Sequence, residues 1–404
     1  MKKGFLAVGH LPTLFASFFY FDMSFMVWVM LGPLGVQISK DLDLYPAQTG
    51  LMVAVPVLSG AALRIVAGVM VDRLQPKLTG IILQVIVIAS LLAAWLVGVH
   101  SFAAILALGL ALGVAGASFA VALPLASQWY PPEYQGTALG IAGAGNSGTV
   151  FAALFAPTLA VDFGWNNVFG LAALPLTVAL AVFVRLARNS PKASPPQRRA
   201  DYLSVLKVPD AWWLMFLYSV TFGGFVGLSS SLTIYFNDRY GLSPVIAGHF
   251  TAACVFVGSL VRPLGGAFAD RVGGVFSLSI MYTVAAAALS LISLGVWSAP
   301  MALAIFVIAM LALGMGNGAI FQLVPQSFGR EIGVITGLVG MAGGVGGFYL
   351  ASSLGVAKQL TGSYHPGFLA FGMLCVGALV ALTGLKSRWR RTWGASAELG
   401  AARI

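Results

Sequence analysis

The sequence predicts an all-α membrane protein, with twelve transmembrane helices in two pseudo-symmetric six-helix bundles. Three observations carry this expectation. Only 34 of the 404 residues are charged, 22 Lys+Arg and 12 Asp+Glu, or 8%, where a soluble domain carries roughly 25%. Hydrophobic residues make up 59%, and the mean hydropathy is +0.93. The chain also repeats itself at one fixed offset. So few charges could not cover a soluble surface of this size, and disordered, fibrous and disulfide-scaffold classes are excluded too. Cys254 and Cys375 both lie in apolar runs, so no disulfide framework is implied. The formal net charge of +10 reads as a Lys/Arg excess on the cytoplasmic side of a membrane, not as a nucleic-acid surface.

A spanning helix needs about 20 apolar residues. Such runs fall at 12–37, 47–70, 78–99, 101–128, 136–160, 166–187, 211–236, 245–268, 274–297, 300–325, 332–354 and 366–385. The start Met1-Lys2-Lys3 imitates a signal peptide, but no small-residue cleavage site follows cleanly, so the first run reads as helix 1. The longest polar stretch runs from Arg188 to Asp201 and is rich in Pro, Ser and charge, which makes it a linker. The expected organisation is an N-terminal bundle over 1–187, a cytoplasmic linker over 188–210, a C-terminal bundle over 211–391 and a cytoplasmic tail over 392–404. Placing both termini in the cytoplasm puts 17 Lys/Arg inside and leaves Lys40, Arg239 and Lys358 outside. That asymmetry sets the orientation.

The repeat is read residue by residue. Gly60-x3-Arg64-x3-Gly68-x3-Asp72-Arg73 in span 2 matches Gly258-x3-Arg262-x3-Gly266-x3-Asp270-Arg271 in span 8, each pair offset by 198 residues. The same offset carries Ala144-Gly145-Asn146-x-Gly148 of span 5 onto Ala342-Gly343-Gly344-x-Gly346 of span 11, and pairs Glu133 with Glu331 and Tyr20 with Tyr218. Parallel duplication of six spans is the architecture of major facilitator transporters. Spans 5 and 11 are the richest in glycine. Gly145 and Gly148, then Gly343, Gly344, Gly346 and Gly347, would let helix backbones approach closely. Tight static packing and a smooth contact on which two bundles rock are both compatible with that pattern.

Thirty-one of the 34 charges fit loops, tails or interfaces; Arg64, Arg262 and Asp22 do not. A charge at the bilayer centre costs at least about 2.5–3.5 kcal/mol on insertion scales, so it marks a pathway or a pair. Each arginine precedes its Asp-Arg motif by eight residues, roughly 12 Å along the helix. The repeat therefore sets them at one depth, one on each half. Two cations there repel unless an anion sits between them, and the planar guanidinium fork suits a planar oxyanion. A structural salt bridge is the alternative, but one deep acid, Asp22, cannot pair both. Asp22 itself is open to two roles. Burial penalises its charged form, so it could carry a proton, or it could be a fixed hydrogen-bond partner. Asp72, Arg73, Asp270 and Arg271 sit at cytoplasmic helix ends, where inter-helix ion pairs would latch an outward-open state. Tyr218 and Phe222 lie one turn apart on span 7 and share a face; on their own they read as packing.

Together these residues resemble the nitrate/nitrite porter family (NarK/NasA type) of the major facilitator superfamily. The paired arginine motifs carry the resemblance with the span-5 run Ala142–Gly148 and the span-11 run Gly340–Gly347. Phe21–Trp28 and Gly316–Pro325 also look like its shorter bacterial members. The resemblance covers essentially all twelve spans. It implies an anion held between Arg64 and Arg262, a hydrogen bond from Asn146 to nitrate, and support from Tyr218. It also implies an apolar sandwich of Phe119 and Phe222 around the planar ion. One departure is Asp22: well-described exchangers of the family lack a protonatable core group, which here favours nitrate/proton symport over nitrate/nitrite exchange. The expectation is a monomeric bacterial inner-membrane transporter of nitrate and nitrite working by rocker-switch alternating access. It would move protons if Asp22 couples, and it is expected to use no cofactor, metal or nucleic acid. Two readings compete: a small organic carboxylate antiporter on the same fold, since guanidinium forks also grip carboxylates, and a membrane nitrate sensor. An enzyme would need a nucleophile–base or metal cluster, which the deep spans lack.

Overall fold

A computed structural model describes residues 5–191, 204–328 and 332–392. Among them, twelve helices are long and apolar enough to cross a membrane. We number them α1 (Leu11–Trp28), α2 (Pro46–Leu74), α3 (Pro76–Val97), α4 (Phe102–Ser127), α5 (Thr137–Phe163), α6 (Trp165–Leu186), α7 (Pro209–Tyr240), α8 (Pro244–Val272), α9 (Gly274–Ser293), α10 (Ala299–Val324), α11 (Val334–Thr361) and α12 (His365–Trp389). Helices α1–α6 form one bundle and α7–α12 the other. Bilayer thickness dictates such lengths, and the hydrocarbon core demands backbone satisfied within each helix.

The first span is shorter than expected. Its helix ends at Trp28, a turn follows, and a short helix occupies Gly35–Asp41. Gly32-Pro33 explains the break, because proline disfavours helical geometry in the residue before it. Gly32 also presses on the Ser230 backbone of α7, where a Cβ would clash. Helix α7 begins at Pro209, inside the stretch expected as linker. Most of that linker, the tail from residue 393, and Glu331 lie outside the described residues. At the other end of α1, His10 Nδ1 accepts the Thr13 N–H at 3.2 Å and so caps the helix. Burial, then the charge of Arg188, holds the His10 imidazole below its ordinary pKa, which keeps that acceptor available.

The two halves meet along two seams related by the repeat, α2 against α11 and α5 against α8. Along α11, one stripe shows how far the first seam extends. A Cβ on Gly344 would meet Ala61 Cβ of α2 at 2.6 Å; one on Gly340, a turn away, would meet Arg64 Nη1 at 3.4 Å; one on Gly337, a further turn away, would meet nothing. The other seam behaves alike. Gly248 of α8 presses on the Ala153 carbonyl of α5, a Cβ on Gly143 would lie 3.9 Å from the Arg262 guanidinium carbon, and Gly140 faces open space. The halves are therefore closed from mid-depth to one end. They are parted at the end that carries Asp72 and Asp270, called the motif end below.

The expected helix-contact glycines divide into two groups. Gly145 and Gly148 pack on α1, and Gly343 and Gly346 on α7, each within its own half. Gly344 and Gly347 face Val57 and Ala61 of α2, across the seam. Static packing thus accounts for the first group, while only the second lies where the halves meet. Of the expected gating residues, Arg73 is exposed, and Asp72, Asp270 and Arg271 each make contacts of their own. Two ion pairs absent from the sequence reading join helices of the second half: Arg388–Asp210 at 2.9 Å and Lys358–Asp238 at 2.6 Å.

A side chain at Gly148 would drive its Cβ into the Asp22 carbonyl. Gly148→Ala should therefore cost about 1–3 kcal/mol through overpacking. Gly337→Ala, with open space around it, should leave stability unchanged or slightly raised. Thermal unfolding in detergent checks both, and a Gly148→Ala protein as stable as its parent would contradict this packing of α1 on α5.

Candidate anion site between the two halves

Three helices lose regularity at the same depth. Helix α4 breaks after Gly116 and resumes at Phe119; α5 passes through a 3-10 turn at Ala144–Ser147; α8 breaks between Leu260 and Arg262. Irregular backbone within a membrane is tolerated where it is buried in protein or lines a cavity. Here it brings Phe119, Asn146 and Arg262 into one layer with Arg64.

Arg64 is 2% exposed. Its Nε donates to the Gly116 carbonyl at 3.2 Å, at the break in α4. Its Nη1 donates to the Gly340 carbonyl of α11, across the seam, and Nη2 has no partner. Three rings enclose the guanidinium: Phe119 at 5.0 Å, with Trp28 and Phe222 each at 5.3 Å. Phe119 and Phe222 were expected to sandwich the anion; in this structure they flank Arg64 itself, with the ring quadrupoles offsetting its positive charge. Trp28 is held in place by a 2.7 Å bond from Nε1 to the Pro56 carbonyl.

Arg262 is 9% exposed. Its Nη2 lies 3.5 Å from the Tyr218 hydroxyl, a long contact, and Nη1 has no partner. Phe321 of α10 lies 5.3 Å from the guanidinium. Tyr218 stacks on Phe222 with centroids 5.1 Å apart and planes within 8°. The two rings thus bridge the arginines, Phe222 under Arg64 and Tyr218 beside Arg262. Neither arginine forms an ion pair among the described residues. That leaves buried positive charge compensated only by rings, carbonyls and one hydroxyl.

Asn146 is 1% exposed, and both atoms of its amide lack a partner. Buried polar groups are nearly always satisfied, so such an orphan asks for an explanation. Its main chain is fixed, with its carbonyl accepting from Thr149 Oγ1 at 2.7 Å and from Ser259 Oγ of α8 at 3.4 Å. One turn therefore presents free donors in a layer with two free guanidinium nitrogens. The site can bind a small anion by charge-assisted hydrogen bonds.

Asp22 stands apart from this layer. It is 3% exposed and faces α5, not an arginine. Ser147 Oγ donates to its Oδ1 at 2.6 Å. The structure thus brings Arg64, Arg262, Asn146, Tyr218, Phe119 and Phe222 together. It leaves Asp22 behind Asn146, joined to the same 3-10 turn. Trp28, Phe321 and the Gly116 and Gly340 carbonyls were not foreseen. Trp28 and Phe321 do stand inside the two short motifs quoted above, but the carbonyls have no signature in a sequence.

The family model for the Major Facilitator Superfamily matches residues 13–351. A probable nitrate/nitrite transporter, NarK2 of Mycobacterium tuberculosis, is 34% identical over 89% of this chain and 92% of its own length. A nitrite extrusion protein of Bacillus subtilis is 32% identical over 88% and 89%. A probable nitrate transporter, NarT of Staphylococcus epidermidis, is 30% identical over 90% and 93%. Among solved structures, a bacterial homologue of the human lysosomal transporter Spinster superposes with a TM-score of 0.71. It covers 93% of this chain and 96% of its own at 20% identity, which shows the shared fold. The chain belongs to the nitrate/nitrite transporter family of the major facilitator superfamily.

Proposed function

We propose that this protein carries nitrate and nitrite across the bacterial inner membrane by alternating access, with the anion held between Arg64 and Arg262. The observation that carries the reading is the pair of buried guanidiniums, each with an unpartnered nitrogen and neither with an acid among the described residues. The names of the relatives supply the anion. Asn146 adds amide donors, and Tyr218 orients Arg262. Phe222 and Phe119, both against Arg64, would keep water from competing. An anion between the arginines would cancel their repulsion, so occupancy would lower the barrier to closing the motif end. With both termini in the cytoplasm, as the Lys/Arg asymmetry indicates, the parted motif end is cytoplasmic. The unit would then be a monomer. It would comprise an N-terminal bundle over 1–187, a linker over 188–210, a C-terminal bundle over 211–391 and a tail over 392–404. Asp72, Arg73, Asp270 and Arg271 would pair across the motif end when it shuts.

Proton coupling through Asp22 is supported by its hydrogen-bond geometry. Ser147 Oγ lies 2.6 Å from Asp22 Oδ1 and 2.9 Å from the Ala144 carbonyl. A hydroxyl has one proton, so an ionised Asp22 and the carbonyl compete for it. A neutral Asp22 donates to Ser147 Oγ, which then donates to Ala144, and every partner is served. Proton uptake would thus tighten the turn that carries Asn146. Among the described side chains of the helices packed on α1, Arg64 is the deep charge; Asp72, Arg73, Asp162, Arg185 and Tyr134 sit at helix ends. This geometry supports symport of nitrate with protons.

Arg262→Lys keeps the charge but loses the fork. In proteoliposomes it should lose most nitrate uptake, about 10- to 100-fold for a loss of roughly 1.4–2.8 kcal/mol; normal uptake would remove the two-arginine site. Asp22→Asn should abolish nitrate flux driven by a pH gradient while nitrate/nitrite counterflow persists. An unchanged pH dependence would take Asp22 out of the mechanism.

A further inference from the structure

Helix α10 passes the site in the angle between α7 and α8, and its glycines show which way each residue points. A Cβ on Gly316 would meet Thr221 of α7 at 2.7 Å, and one on Gly318 would meet the Arg262 carbonyl of α8. Asn317 lies between them in sequence, so its side chain is directed into the angle between α7 and α8. Phe321, one turn further on, shares that face. Its ring meets Tyr218 edge-on with centroids 5.2 Å apart and lies 5.3 Å from the Arg262 guanidinium. Asn317 is 1% exposed, and its Oδ1 has no partner. Arg262 Nη1 has none either.

A buried amide oxygen without a donor, on the face that also carries Phe321 against Arg262, leaves the orientation of the Asn317 amide unfixed, and the unpaired Arg262 nitrogen leaves a donor for a group that would accept from it. Asparagine carries two N–H donors as well as its acceptor, and a half-turn of the amide exchanges them. Asn317 can therefore present donors to an anion at Arg262 without moving its backbone.

The repeat shows that this amide is not a copy of the other one. The residue 198 positions before Asn317 is Phe119, the ring beside Arg64; the residue 198 positions after Asn146 is Gly344, packed on Ala61. Each half thus supplies one guanidinium and one amide, but from different helices: α2 and α5 in the first, α8 and α10 in the second. We infer that Asn317 is a substrate-binding residue, the second half's amide donor to a planar oxoanion held at Arg262. This rests on the nitrate reading above and adds a contact that the duplicated arginine and glycine motifs do not contain. An anion gripped by a fork and an amide from each half ties its occupancy to the approach of the halves.

The test is nitrate uptake by proteoliposomes over a range of nitrate concentrations. Asn317→Leu nearly preserves the side-chain volume and removes the amide. Its KM should rise roughly tenfold, the cost of one good hydrogen bond to a charged group, with the saturated rate largely kept. Misfolding alone would lower the saturated rate and leave KM in place. Asn317→Ser, which keeps one donor, should show a smaller rise and serves if the leucine variant does not fold. An unchanged KM in the folded variants overturns the assignment. If the wild-type protein moves no nitrate, the nitrate reading fails by itself, and the same KM comparison with the anion it does move still decides the role of Asn317.

Discussion

Two like charges buried at one depth, with no acid paired to either among the described residues, constrain everything else in this molecule. Taking a guanidinium out of water is expensive, and a second one nearby raises the cost through repulsion. The fold meets that cost locally. Aromatic rings cover Arg64 on three sides, the Gly116 and Gly340 carbonyls accept from it, and Tyr218 attends Arg262. The broken segments of α4, α5 and α8 follow from the same need. A continuous helix spends its carbonyls on itself; a break turns one toward a cation. What remains unserved is one guanidinium nitrogen on each arginine and the Asn146 amide, donors that together make an anion-shaped demand.

The arginines are related by the repeat, but their surroundings are not. Arg64 is enclosed and tied to the opposite half through Gly340, whereas Arg262 is held by one long contact. In this state the first arginine joins the halves and the second is freer to reach an incoming anion. The glycines of the outer part of the seams, Gly50 against Gly355 and Gly344 against Ala61, allow the helices to touch there. Gly140 and Gly337, which face open space, mark the surfaces that would meet if the motif end closed. Duplicated six-helix units can exchange these two arrangements because their seams are equivalent.

Much of this was legible in the chain because a bilayer dictates helix length and makes a misplaced charge conspicuous. The twelve spans, the duplication and both arginines stand out against an apolar background. Span 1 did not end where its hydropathy ends, because hydropathy ignores the Gly32-Pro33 break. The glycine stripes were visible, but the helix each one faces was not. Gly148 and Gly344 sit in matching runs, yet one packs inside its half and the other across the seam, since rotation about the helix axis is settled only by neighbours. The partners of Asp22 and Arg64 depend on a serine 125 residues away and a carbonyl 276 residues away, and no local pattern encodes such contacts. Asn317 stood in a quoted motif, but an amide's lack of a partner becomes visible only once the chain has folded.

The central claim is that one anion satisfies both arginines at once. Anything that binds the folded state raises its apparent stability with ligand concentration. Thermal unfolding of the purified protein in nitrate, with chloride at equal ionic strength as control, reads this directly. The wild-type midpoint should climb with nitrate and not with chloride, and the climb should vanish when either Arg64 or Arg262 is replaced by Gln. A nitrate-dependent rise that persists in both single variants would contradict a shared two-arginine site.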